Sequence, residues 1–142
     1  MNRRMVIAAA LLTMLTAVAC GSKGTGSPPT TQPTVASRPS SPAKISILSP
    51  RNGQAIHGHT LSVHLSLKNA RIVKPTTTKI DPRKGHIHVL LDGSIVSMNY
   101  GLKDTISKLS PGTHTLRVEF VASDHLPFDP RVFQEVAFEV KA

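Results

Sequence analysis

The chain has 142 residues, with 17 Lys or Arg against 8 Asp or Glu for a formal net charge of +9, seven His, eleven Pro, one Cys, four Phe, one Tyr and no Trp. That length has room for one small domain, and the many prolines and few aromatics exclude a helical bundle or a large α/β enzyme, both of which need longer uninterrupted periodic segments. A single cysteine excludes a disulfide within the chain.

In chain order, Asn2-Arg3-Arg4 gives a positive start, Met5 to Val18 is an apolar run broken only by threonines, and Ala17-Val18-Ala19-Cys20 is a small-residue site ending at the only cysteine. This pattern predicts an export signal over residues 1–20, too short for a comfortable transmembrane helix. It resembles the signal of bacterial lipoproteins. The resemblance implies that the Cys20 thiol takes a diacylglyceryl group and becomes the mature N-terminus, anchoring the protein to the extracytoplasmic face of the cell membrane. Residues 21–43 include 17 Ser, Thr, Pro or Gly among 23 and no acidic side chain. Such a segment buries too little surface to offset its ordering entropy, which predicts a disordered tether of at most about 70 Å at polyproline rise. The folded domain is therefore expected over 44–142.

Within it, Lys44-Ile45-Ser46-Ile47-Leu48 alternates and stops at the turn cluster Ser49-Pro50-Arg51-Asn52-Gly53. Leu61, Val63, Leu65 and Leu67 then alternate with Ser62, His64, Ser66 and Lys68. His86 to Leu91 ends at Asp92-Gly93, Ile95–Met98 and Thr105–Leu109 are weaker strands around Tyr100-Gly101, and Pro111-Gly112 turns the chain into His114 to Phe120. Val136 to Val140 closes the series. About seven short antiparallel strands separated by turn signals predict an all-β, immunoglobulin-like two-sheet sandwich.

Gly85-His86-Ile87-His88-Val89-Leu90-Leu91-Asp92, Pro111-Gly112-Thr113-His114-Thr115-Leu116 and Asp124-His125-Leu126-Pro127 resemble a histidine-bearing bacterial immunoglobulin-like family of uncharacterised function, from about Ser49 to Val140. The family pattern has a histidine where this chain has Ile87. The resemblance implies an envelope domain with the same sandwich fold.

All seven histidines fall in the domain. His86 and His88, two apart on a strand, point to one face with Cα atoms about 7 Å apart, and in an immunoglobulin-like order the loop with Asp124 and His125 shares their end of the sandwich. Two imidazoles at that spacing chelate one ion when a neighbouring element adds a third ligand, and a nitrogen-rich set suits Cu²⁺ or Zn²⁺; nothing singles out Cu⁺. Such a site is expected to lose its metal as imidazoles protonate near pH 6. The other reading puts Ile87, Val89 and Leu91 inward and leaves His86 and His88 solvated on the outer face. His114, in register with Leu116 and Val118, is expected inward and hydrogen-bonded to backbone, with His57 and His59 near it.

The domain has 13 basic and 8 acidic side chains. Lys74, Lys79, Arg83 and Lys84 lie in a long connection that favours either a functional loop or an added edge strand, and outside a membrane they would meet an anionic envelope polymer or another envelope protein. No stacking aromatic interleaves them, so nucleic acid is not an expected partner. There is no Gly-x-Ser-x-Gly elbow, no free thiol and no pair of neighbouring carboxylates, which argues against an enzyme. Two functions remain: a binding or scaffold module of the cell envelope, and a copper- or zinc-binding envelope protein using His86, His88 and His125.

Overall fold

The computed structural model describes residues 37–74 and 77–141. They form nine strands in two sheets. One sheet has the order β1 (Lys44–Ser49), β3 (Thr60–Lys68), β7 (Lys103–Ser107). The other runs β2 (Gln54–His57), β9 (Pro127–Lys141), β8 (Gly112–Ala122), β5 (Lys84–Leu91), β4 (Arg71–Ile72), and β6 (Ser94–Asn99) also pairs with β5. The sheets enclose a core supplied by period-two alternation: Leu61, Val63 and Leu65 from β3, Ile87 and Val89 from β5, Leu116, Val118 and Phe120 from β8, and Val136, Phe138 and Val140 from β9. Each such side chain contributes about 1.5–3 kcal/mol of burial.

The expected all-β sandwich is present, with two corrections. There are nine strands rather than about seven, and the ladder is not wholly antiparallel, because β2 pairs parallel to β9 and β4 parallel to β5. Both added strands are short pieces that complete open edges of longer strands, and pieces of four and two residues carry no alternation that a sequence can display. The long connection before β5 does supply an added edge strand. β9 spans 15 residues, although only its last five alternate clearly. Its register on β8 jumps from Phe120↔Val132 to Val121↔Pro127, so the residues between form an excursion that turns Phe128 inward to stack on Phe120 at 5.7 Å.

Packing starts before Lys44. Arg38 binds Asp124 through two hydrogen bonds of 2.6 and 2.9 Å and donates from Nε to the Pro127 carbonyl at 2.9 Å. The Asp129 amide donates to the Pro39 carbonyl, Ser41 Oγ to the Pro82 carbonyl, and Ala43 is buried. Residues 38–43, expected as the end of a tether free of contacts, are thus a strap on the domain. The signal over 1–20 with Cys20, and the tether as far as residue 36, lie outside the described residues.

Candidate metal centre

β5 enters the sheet pressed against β8. A Cβ at Gly85 would stand 1.9 Å from the Val121 carbonyl oxygen, so only glycine allows this approach. Beyond it, Ile87 and Val89 fill the core, and His86 and His88 take the opposite face. That face is covered here. His86 is 0% and His88 7% exposed, and on the neighbouring strand Glu119 and Val121, opposite His88 and His86 in register, are buried as well. The outer-face position expected for the two histidines is correct, but their solvation is not.

His125 sits in the turn between β8 and β9 with φ +67°, a left-handed conformation that few non-glycine residues adopt. Its amide donates to the Ala122 carbonyl, the Ala122 amide to the Leu126 carbonyl, and the Leu126 amide to Asp124 Oδ1. The turn is closed by its own backbone and braced by Arg38. His125 Nδ1 lies 3.0 Å from His86 Nε2, which is 3.1 Å from His88 Nε2. One ligand nitrogen from each of the three rings lies within 4.8 Å of the others, and among the described residues no other group of three His, Cys, Asp or Glu meets that condition. Two nitrogens bound to one zinc at about 2.0–2.1 Å with tetrahedral angles stand about 3.3 Å apart, close to the two separations that His86 Nε2 makes.

The chemistry of the donors fits a metal. Burial, then the charges of His125 and His88, push the His86 pKa down to about 4. Burial and His125 also lower that of His88, against an opposing pull from Glu119. Both rings therefore keep their lone pairs near neutral pH, and neutral imidazole is the ligating form. The expectation of protonation near pH 6 is corrected downward for these two. His86 Nδ1 is buried with no hydrogen-bond partner among the described residues, an arrangement that costs about 1–3 kcal/mol and that ligation at Nε2 would leave in place, since the ring proton then sits on Nδ1. His125 is exposed, so one side of the cluster opens to solvent.

Asp124, the fourth candidate ligand, is placed beside the cluster but its carboxylate is held by Arg38, whose hydrogen bonds keep its pKa low despite burial. It anchors the turn and does not join the three rings. Glu119 is likewise committed to Arg131, through bonds of 2.7 and 2.8 Å. Arg38, Arg131 and Tyr100, whose ring centroid is 5.5 Å from that of His86, escape sequence reasoning because their relation to the histidines is purely tertiary.

His114 hydrogen-bonds backbone as expected: its Nε2 is 2.9 Å from the Ser110 carbonyl oxygen, and its Nδ1 is 2.7 Å from Asp92 Oδ2. The Asp92 and Ser110 bonds raise its pKa despite partial burial. A ring nitrogen that donates to a carbonyl is not a base for Ser110 Oγ, 3.5 Å away, so the trio is a structural clamp. His59 instead bonds the Leu109 carbonyl at 2.7 Å.

Of the basic residues, Lys74, Lys79 and Arg83 are exposed, whereas Lys84 is half-buried and paired with Asp81 at 2.9 Å. Arg71, Arg83 and Lys84 line a groove of about 930 Å³ with Asn69 and Asp81. Among the described residues no helix is long and apolar enough to cross a membrane.

No family model matches the chain, and no curated protein matches it. Among solved structures, the fibronectin(III)-like modules of CbhA from Clostridium thermocellum are similar at 17% identity and a TM-score of 0.43, over 68% of this chain and 95% of theirs. An engineered protein is similar at 12% identity and a TM-score of 0.47, over 70% of this chain and 20% of its own. Both likenesses are distant, and the case for the metal centre rests on its own geometry.

Proposed function

We propose that this protein binds copper or zinc through His86, His88 and His125, as a non-catalytic β-sandwich lipoprotein tethered by Cys20 at the extracytoplasmic face of the membrane. One observation carries the reading: three imidazoles from two separate elements converge, with His86 Nε2 3.1 Å from His88 Nε2 and 3.0 Å from His125 Nδ1, and two of the rings are buried. Solvated surface histidines have no reason to meet in this way. The signal-like N-terminus, ending at a cysteine in a small-residue site, supports the address.

Thermal unfolding with added Zn²⁺ or Cu²⁺ tests the reading. At neutral pH a metal at a hundredfold excess over its Kd stabilises by about 2.7 kcal/mol, a rise of roughly 10 °C in Tm. His88→Ala and His125→Ala should each abolish the rise, and His64→Ala, exposed on β3, should not. Equal loss from His64→Ala would mark adventitious binding, and no rise in the wild type would leave the scaffold reading. That second reading is supported by the exposed Lys74, Lys79 and Arg83, which suit an anionic polymer or protein surface.

A further inference from the structure

The strand on the other side of β5 brings a sulfur to the histidine face. β5 and β6 are joined by the two-residue turn Asp92-Gly93, with φ of 49° and 83°, and pair as Leu91↔Ser94 and Leu90↔Ile95. Continued without a break, that register would set Ser97 opposite His88. A bulge between Val89 and Leu90 leaves Val96 as an extra residue, so the ladder resumes at Val89↔Ser97 and sets Met98 opposite His88. Tyr100, two residues further on, packs near the His86 ring, as expected of the same face. Directly opposed residues on antiparallel strands have Cβ atoms about 4.5–5.5 Å apart, a gap that an unbranched, flexible thioether spans. Met98 is 49% exposed, so its side chain is not committed to the core.

Charge points the same way. Imidazole ligates in its neutral form and a thioether carries no charge, and the neighbouring carboxylates are already matched: Asp124 by Arg38, Glu119 by Arg131. A cation here finds no spare negative charge among these groups. The cost of taking an ion out of water grows with the square of its charge, so a monocation loses about a quarter of what a dication does. Thioether ligands also select soft Cu(I).

We propose that Met98 is a fourth ligand, completing with His86, His88 and His125 a site that prefers cuprous ion to zinc. This rests on the reading of the three histidines as a metal site. The full-length protein and its Met98→Leu variant, which keeps apolar bulk without sulfur, are compared by anaerobic competition for Cu(I) against a chromogenic chelator and by calorimetric titration with Zn²⁺. Expected are a tenfold or greater loss of Cu(I) affinity in the variant, zinc affinity within twofold of the wild type, and a copper-bound sulfur in the X-ray absorption of the wild type alone. Unchanged Cu(I) affinity with zinc binding intact would overturn the thioether and leave the three-histidine site standing. Equal losses of both metals would assign Met98 a packing role and overturn its ligation. Failure of the wild type to bind either metal would overturn the site itself, and Met98 with it.

Discussion

Burial and two neighbouring imidazoles hold the His86 ring at about 4, whereas in the unfolded chain it protonates near 6.5. Between those values the unfolded state binds more protons, so acidification favours unfolding, and His88, shifted the same way, adds to the loss. The metal-free protein should therefore lose Tm steadily from about pH 6.5 towards 4, with the His86 ring titrating near 4 by NMR. A ring that titrates near 6.5 would contradict the burial. His114 has the opposite sign. Asp92 and Ser110 raise its pKa, so its stabilisation is complete below about 6.5 and is lost as pH rises through the folded value. His114→Gln should cost about 1–2 kcal/mol in mild acid and progressively less in alkali, measured by denaturant unfolding across pH. A cost independent of pH would show that the ring acts through packing on Phe138, 5.6 Å away, instead of through Asp92.

At the scale of elements, the site depends on how closely β5 approaches β8 and on how the β8–β9 turn is held. Gly85→Ala puts a methyl 1.9 Å from the Val121 carbonyl oxygen, which backbone must relieve by moving. A loss of about 3 kcal/mol is expected, together with weaker metal binding, because His86 follows immediately. Arg38 acts from the other side. Its two bonds to Asp124 and its bond to the Pro127 carbonyl fix the turn that carries His125, and Arg38→Ala leaves Asp124, half-buried, without its cation. A cost of about 1–3 kcal/mol is expected, and a chain starting at Lys44 should lose at least as much. Unfolding of the shortened chain within a degree of the longer one would show that the strap contributes nothing.

At the scale of the whole molecule, the proposed anchor would set a domain with 13 basic and 8 acidic side chains beside a membrane, where its charge would favour anionic material. Charge reversal at Lys79 and Arg83, both exposed, should weaken attachment to envelope preparations as added salt weakens the wild type, with domain stability changed by less than about 0.5 kcal/mol. Attachment that ignores both salt and charge would exclude this surface. The anchor is tested separately: Cys20→Ala should release the protein from the membrane fraction, and unchanged retention would rule out lipidation.

The alternation of Leu61, Val63 and Leu65, and of Leu116, Val118 and Phe120, determined by itself that this chain makes half-buried strands, because period two is a property of consecutive residues. Turn residues such as Asp92-Gly93 set where those strands stop. Sequence spacing also put His86 and His88 on one face, and strand order nominated the turn with His125. The tertiary structure alone decided that this face is covered, since β5 alternates identically whether its outer side meets water or a neighbouring turn. The same holds for Asp124, whose place as a ligand or an anchor was decided by Arg38, 86 residues away in the chain. The one-residue bulge in β6 decided that Met98, and not Ser97, stands opposite His88, and no local pattern marks it. Contacts closed by register and by distant partners arise from packing, and only the folded chain specifies them.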